Sequence, residues 1–381
     1  MINFLQKNKR LIYLLLKAIF IFKKPKKKLF LIIDGRKKSL LFRYIDKKKC
    51  NTLYTRGEFI NLYVLFISLF TFNHRNFYFN YLNTYIRLSK PKYCITLNHP
   101  KIYFYKLKKI HKNLITISFQ NGHVNLTDKN SFFRDLKKEK KNSLSADFIF
   151  SQNNFFTKNL FSKFIKSKYI CIGSFKNNFF YKRKKNQNKK KIIYFISQFR
   201  MPQSIKKMGY TYKEFYITEY KILPKILNFA QKNGYSFEIL GSEWNPLEEK
   251  NFYNKILMSN NWTYHKKSKN NGSYYKTDKA SINVFVDSNL GFESLARGNK
   301  TISINFKKKI NPMYNKFGFN FLKDKGKFWT NTDSNKELNR LMNYAKNVSL
   351  IKWKKDNTTI IKKIMEYDPN NKEFQKIILN S

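Results

Sequence analysis

Short, unbroken apolar runs recur along this chain, each closed by a polar or glycine-containing loop. Leu29–Ile33 (LFLII) ends at Asp34-Gly35, Tyr93–Leu97 at Asn98-His99-Pro100, and Leu114–Phe119 at Gln120-Asn121-Gly122. Asp147–Phe150 and Tyr169–Ile172 come next, the latter closing at Gly173-Ser174. A second series opens with Ile192–Ile196, which runs into Ser197-Gln198-Phe199-Arg200, and continues with Ser236–Leu240, Ile282–Val286 and Thr301–Ile304. Runs of this length bounded by turn signals predict buried strands. Between them lie helical patterns. Phe59–Phe72 is apolar at mixed spacing, and Glu219–Asn233 places Ile222, Leu223, Ile226, Leu227, Phe229 and Ala230 on one face before Gly234. From Lys336 onward, Leu338, Leu341, Met342 and Ala345 mark another apolar face.

Alternating strands and helices predict parallel sheets covered by helices, and 381 residues exceed one ordinary core. The reading is α/β, with two Rossmann-like doubly wound domains facing across an interdomain cleft. It divides the chain into an N-terminal basic and apolar segment (1–28), a first domain (29–181), a basic linker (182–191) and a second domain with C-terminal helices (192–381). Ligands of such sheets sit beyond the carboxyl ends of the strands, where every polar loop named above falls.

Composition changes this picture little. Lys and Arg number 77 against 23 Asp and Glu, a formal net charge of +54. Such a surface attracts phosphates, yet the chain is also rich in Asn, Ile, Phe and Tyr, and a general residue bias carried on solvated faces accounts for much of the excess. Neither Lys182–Lys191 nor Lys23–Lys28 adjoins a nucleic-acid-reading module, which argues against nucleic acid as a partner. Cys50, Cys94 and Cys171 stand far apart, a spacing that suits free thiols in a reducing compartment. Leu11–Phe22 is apolar but interrupted by Lys17 and too short to span a bilayer, which takes about 20 residues. Two helical readings stay open there: a helix on an anionic membrane surface, or one packed on the protein.

Candidate chemistry concentrates in Asn283–Asn305 (NVFVDSNLGFESLARGNKTISIN), a strand, loop, helix and strand. Ser288 or Asn289 suits a helix N-cap, Gly291 permits close backbone approach, and the helix N-terminus favours an anion. Glu293 either compensates the dipole or accepts hydrogen bonds from a ribose. Arg200 and Gly241 stand in strand-end loops of the second series, where ligands of such sheets sit. Asp34, Glu58, His99 and His123 are candidate proton acceptors. Gln120, Asn121 and Gly122 either contact an acceptor or build a turn. No Asp-x-Asp pair closes a strand, so the reading includes no metal or other cofactor.

The segment DSNLGFESLARGNKTI resembles the C-terminal signature of GT-B glycosyltransferase-like proteins of bacterial surface carbohydrate (O-antigen and lipopolysaccharide) biosynthesis. The order of YTRGEFINL (Tyr54–Leu62), PKYCITLNHPKIYF (Pro91–Phe104), TISFQNG (Thr116–Gly122) and YFISQFR (Tyr194–Arg200) strengthens the resemblance from about Leu29 onward. It implies transfer of a sugar from a nucleotide-sugar co-substrate to a glycan or lipid-linked glycan acceptor, in the cytoplasm or peripherally on the inner face of the membrane. It also implies that Glu293 holds the ribose while Ser288, Asn289 and Gly291 surround the diphosphate. For such a donor, Arg200 is a candidate to neutralise the departing diphosphate, Gly241 lies where a base would rest, Ser197 is a further donor-side candidate, and Asp34, Glu58 and His99 are the catalytic candidates. In this sequence Asn289 stands where the group usually has Thr, and Asn98-His99 where an acidic residue and Asn are expected. Polyol-phosphate transfer and sugar-nucleotide epimerisation are alternatives on the same architecture, and a non-catalytic basic nucleic-acid- or membrane-binding protein is the alternative of another class.

Overall fold

Strands that are apolar on both faces can only sit inside a covered sheet, and this chain builds two such sheets. The computed structural model describes residues 18–55, 58–71, 76–97, 102–120, 122, 131–140, 143–180, 190–207, 209–242, 245–266, 272–310, 316–318 and 321–379. The chain forms two compact units: Met1–Lys176 with Asn371–Ser381, and Asn177–Asn370.

The strands of the first unit are β1 (Ile19–Ile21), β2 (Phe30–Ile33), β3 (Cys50–Leu53), β4 (Phe59–Asn61), β5 (Tyr93–Thr96), β6 (Ile115–Phe119), β7 (Leu144–Ser151) and β8 (Ile165–Cys171). Six of them form a parallel sheet in the order β3-β2-β5-β6-β7-β8, while β1 and β4 pair separately, also in parallel. Every residue of β2 and β5 is buried. The helices Leu62–Phe70 and Phe77–Ser89 start where the side chains of Asn61 and Asn76 accept N–H bonds from the first turn. The C-terminal helix Lys372–Leu379 belongs to this unit, not to the second domain where the sequence places it. Its Phe374 ring is fully buried against Tyr44, Phe119, Phe150 and Phe175, with centroids 5.4–6.0 Å away. Just before it, Asn371 Nδ2 donates to Tyr44 Oη and to the Phe175 carbonyl.

The second unit contains β9 (Lys190–Ile196), β10 (Ser236–Leu240), β11 (Thr263–His265), β12 (Ala280–Phe285), β13 (Thr301–Ile304) and β14 (Trp329–Thr330). The sheet is parallel, in the order β11-β10-β9-β12-β13-β14. Numbered within the unit this is 3-2-1-4-5-6, the doubly wound order in which the winding reverses between the first and fourth strands. Alternation along β9 shows both faces covered. Ile193 and Phe195 pack with Ile222, Leu223 and Ile226 of the helix Ile217–Lys232, whereas Tyr194 and Ile196 belong to a cluster with Phe292 and Trp353.

Differences from the sequence reading have local causes. Phe59–Phe72, expected as one helix, is β4 followed by Leu62–Phe70, because Asn61 caps the helix and β4 finds a partner in β1. The described end of the apolar segment Leu11–Phe22 is strand β1 and not helix; residues 1–17 lie outside the described residues. The edge strands β3, β11 and β14 are short and mixed in polarity, and carry no apolar run. Most of the expected linker, residues 182–189, lies outside the described residues, and Lys190 already begins β9. No helix among the described residues is long and apolar enough to cross a membrane.

Because Phe374 fills the centre of an aromatic cluster, Phe374→Ala is expected to destabilise the first unit by about 3–5 kcal/mol. Denaturant unfolding followed by fluorescence and hydrogen exchange should show the loss in residues 18–176 and little change in the second unit.

Candidate functional site

Reversal of winding direction opens a crevice beyond the strand ends, and in the second unit the loops flanking it are Ser197–Arg200 after β9 and Val286–Ser288 after β12. The latter leads into the helix Asn289–Ala296. Ser288 occupies the N-cap with φ −69° and ψ 134°, and its side chain makes no capping hydrogen bond. By contrast, Asn245, Ser334 and Ser349 all cap their helices through their side chains. The N-terminal dipole of the switch-point helix is thus not answered by Ser288.

Gly291 lies in the first turn of this helix, over the Phe285 ring. A Cβ there would stand 2.1 Å from Phe285 Cγ, so the glycine lets the helix settle on its own preceding strand. Close packing, and not only ligand approach, requires it. Two residues on, Glu293 is 8% exposed and accepts a 2.8 Å hydrogen bond from Tyr274 Oη. Burial, and then the Glu293 charge, push the Tyr274 hydroxyl well above the ordinary tyrosine range, so it stays a donor.

At the other end of the helix, Arg297 is buried and paired with Asp278, its Nε donating at 3.0 Å and its Nη2 closing a second bond. Its Nη1 donates to the Phe180 carbonyl at 2.7 Å and to Tyr367 Oη at 3.3 Å. The guanidinium lies 5.5 Å from the centre of the Tyr274 ring. Asn299 Nδ2 donates to Asp278 as well, at 2.9 Å. Arg297 is therefore a buried hub, beyond the C-terminal dipole partner that its position suggests.

The loops after β9 and β10 are tied to strand β11 by one carboxylate that the sequence reading does not single out. Glu249 is fully buried and accepts from Ser197 Oγ, from the Ser242 N–H at 2.9 and 3.0 Å, and from Tyr264 Oη at 2.8 Å. Tyr253 Oη donates to Ser197 Oγ at 2.7 Å. Ser197 is thus engaged inside the protein. A Cβ on Gly241 would stand 2.3 Å from Tyr264 Oη, so this glycine clears the path of the tyrosine to Glu249. The legible signal for Glu249 is its phase: with Phe252, Tyr253 and Ile256 it falls on the buried stripe of the helix Pro246–Leu257.

Glu219 obeys the same rule, standing in phase with Ile222, Leu223 and Ile226 on a helix face that is buried. Gln198 Nε2 donates to it at 2.9 Å, and the buried Lys307 ammonium lies 3.7 Å from Glu219 and 3.8 Å from Asp287. Burial raises the Glu219 carboxyl pKa and Lys307 opposes that shift. This cluster joins the loops after β9, β12 and β13. Arg200 has an exposed side chain on a backbone fixed by Tyr216, whose hydroxyl accepts from the Arg200 N–H and donates to its carbonyl.

In the first unit the winding reverses between β2 and β5. Asp34 ends β2 at that reversal, 8% exposed, with φ 60°, a region that non-glycine residues rarely occupy. Its backbone N–H donates to the Leu53 carbonyl at 3.0 Å. Its Oδ1 accepts the Arg36 N–H at 3.4 Å, the local bond by which Asp builds a turn. Glu58 is exposed, and its carbonyl accepts the Ile19 N–H of β1. Gln120 is buried, bonds the Gln152 N–H at 2.9 Å and the Gly122 carbonyl at 3.1 Å, and so builds the turn after β6. Gly122 has φ 94° in that turn. Asn98, His99, Asn121 and His123 lie outside the described residues.

Comparison with known structures bears on the fold. The S. aureus MnaA–UDP structure is similar with a TM-score of 0.51 at 10% identity, covering 93% of this chain and 95% of that one, a likeness that shows the fold. Wall teichoic acid polymerase TagF (TM-score 0.49, 14% identity, 94% and 88% covered) and UDP-GlcNAc 2-epimerase from Neisseria meningitidis bound to UDP-GlcNAc (0.48, 12%, 93% and 98%) are also similar. No curated protein matches the sequence. A family profile described as "putative O-antigen biosynthesis protein" matches residues 117–381. With more than half of its length matched and a GT-B-like pair of doubly wound sheets, the chain belongs to this O-antigen biosynthesis family.

Proposed function

We propose that the protein is a glycosyltransferase of surface-polysaccharide synthesis that holds a nucleotide-sugar donor at the switch point of its second sheet. The observation that carries the reading is the helix Asn289–Ala296: it starts at the reversal of strand order, its N-cap side chain makes no capping bond, and it bears a nearly buried carboxylate one turn in. A helix N-terminus without a side-chain cap favours a diphosphate, and a carboxylate beside it suits ribose hydroxyls. Membership of an O-antigen family supports a sugar nucleotide over other anions. The MnaA structure of the same fold, in which UDP is bound, makes the same ligand class reasonable here.

In this reading the diphosphate rests on the backbone of Ser288 and Asn289, Glu293 accepts from the ribose, and Arg200 neutralises charge as the nucleotide leaves. Tyr274 orients the Glu293 carboxylate. Ser197 and Gly241 act through the loops they hold in shape. Asp34 is the carboxylate assigned to take the proton of the acceptor hydroxyl, and no metal is assigned a role.

A nucleotide panel measured by calorimetry at moderate salt should give saturable, base-selective binding. Glu293→Ala should weaken it about tenfold to hundredfold, the range for a hydrogen bond to a charged group, with the circular dichroism spectrum retained. Equal binding by the variant, or none by the parent, removes the donor-site assignment. The product identifies the reaction: sugar transfer releases a nucleoside diphosphate, polyol-phosphate transfer releases a monophosphate, and epimerisation converts the donor without any acceptor. Asp34→Asn should lower turnover by about 10²–10⁴-fold while donor affinity stays within about twofold, as read by initial rates and calorimetry on the same preparation.

A further inference from the structure

A helix that buries its hydroxyl and exposes its aromatic rings has its polarity reversed for water. In the helix Leu62–Phe70 (LYVLFISLF), Val64 and Ser68 are the buried residues, and Ser68 Oγ donates to the Leu65 carbonyl. Phe66 and Phe70 are 60% and 75% exposed, their rings 4.9 Å apart along the helix, with Leu69 exposed beside them. Strand β1 extends this ridge. Phe20 and Phe22 are 50% and 75% exposed, and the Phe22 ring meets Tyr63 of the helix edge-on at 6.1 Å. Contiguous apolar exposure of this kind marks an interaction surface.

The charge bordering the ridge determines its partner. Directly after Phe22 come Lys23, Lys24, Lys26 and Lys27, all exposed, around the buried Pro25. These lysines sit on fixed backbone: Asn61 Nδ2 donates to the Lys23 carbonyl at 2.8 Å and Asn51 Nδ2 to the Lys26 carbonyl at 2.7 Å. The turn Lys47–Lys49, three further exposed lysines, continues the charge, joined by the Lys28 ammonium on the Lys48 carbonyl. Aromatic and aliphatic side chains for the acyl boundary, bordered by anchored ammonium groups for the headgroups, match an anionic bilayer surface in both chemistry and sign. Nucleic acid would use the lysines and leave the Phe66–Phe70 ridge unexplained.

We infer that the first unit docks on an anionic phospholipid bilayer through the helix Leu62–Phe70 and strand β1, with Lys23–Lys27 on the headgroups. The inference does not rest on the donor-site reading, because every residue it uses lies in the first unit. From Ile19 to Ile21 the described end of the segment Leu11–Phe22 is a strand, and it leads directly into the lysines.

Full-length protein should sediment with vesicles of equal parts phosphatidylcholine and phosphatidylglycerol, not with phosphatidylcholine alone, and high salt should weaken the binding. Phe66→Ser with Phe70→Ser, and separately Lys23→Gln with Lys24→Gln, should each reduce the partition coefficient about tenfold or more. All four positions are exposed, so thermal melts should be unchanged, as should nucleotide binding by the second unit. Absence of parent binding to anionic vesicles, or unchanged binding by either double variant, overturns the proposal. A loss confined to the lysine variant and matched by equal loss of duplex-DNA retention assigns the lysines to nucleic acid and overturns it too.

Discussion

The pairing of Arg297 with Asp278 is the interaction on which the second unit's site depends. Both side chains are almost completely buried, where an ion pair gains little over apolar packing but is costly to break, about 3–5 kcal/mol if one partner is lost. The pair fixes the exit of the switch-point helix against the helix Gly272–Lys279, with Phe180 and Tyr367 completing the guanidinium's contacts. At the other end, the Phe285 ring beneath Gly291 sets the height of the first turn. A helix clamped at both ends has little freedom in where its N-terminus points. Pre-organisation of that kind is what an anion site requires.

Carboxylates are scarce in this chain, 23 against 77 basic residues, and the second unit places several inside. Glu249 joins two strand-end loops to strand β11, Glu219 faces Lys307, Asp278 holds Arg297, and Glu293 meets Tyr274. Each is in or beside a switch-point loop or helix. Most lysines, by contrast, lie on the surface, where an ion pair such as Lys376 with Glu373 contributes at most about 1 kcal/mol. The net charge of +54 therefore says little about the fold, while the few buried acids say much about how the site is held.

The two-sheet architecture was legible because strands such as Phe30–Ile33 and Tyr93–Thr96 are buried throughout and so read as unbroken apolar runs. Strand order was not, since pairing of β9 with β12 joins residues about ninety positions apart with no local signal. Asp34 is legible as a loop at a strand end and Ser288–Glu293 as the start of a helix after one, and both fall at reversals of winding. Ser197 and Gly241 look like ligand contacts in the sequence, and Gln120 like either a ligand contact or a turn, because the partners that engage them, Glu249, Tyr264 and Gln152, come from elsewhere in the sequence. Polar residue types at a loop look the same whether they serve a ligand or the loop itself. An acid in phase with an apolar helix stripe was the available clue to Glu249 and Glu219. For the described end of the N-terminal apolar run, Ile19–Ile21, period alone does not separate a short strand from a helix, and the pairing of β1 with β4 makes it a strand.

Amide hydrogen exchange on the full chain, with and without a saturating nucleoside diphosphate, tests the central claim that the switch point of the second sheet is the donor site. The account predicts slowed exchange concentrated in peptides spanning Ser288–Glu293 and Ser197–Arg200. Nucleotide binding that leaves both segments unchanged and protects another region would contradict it.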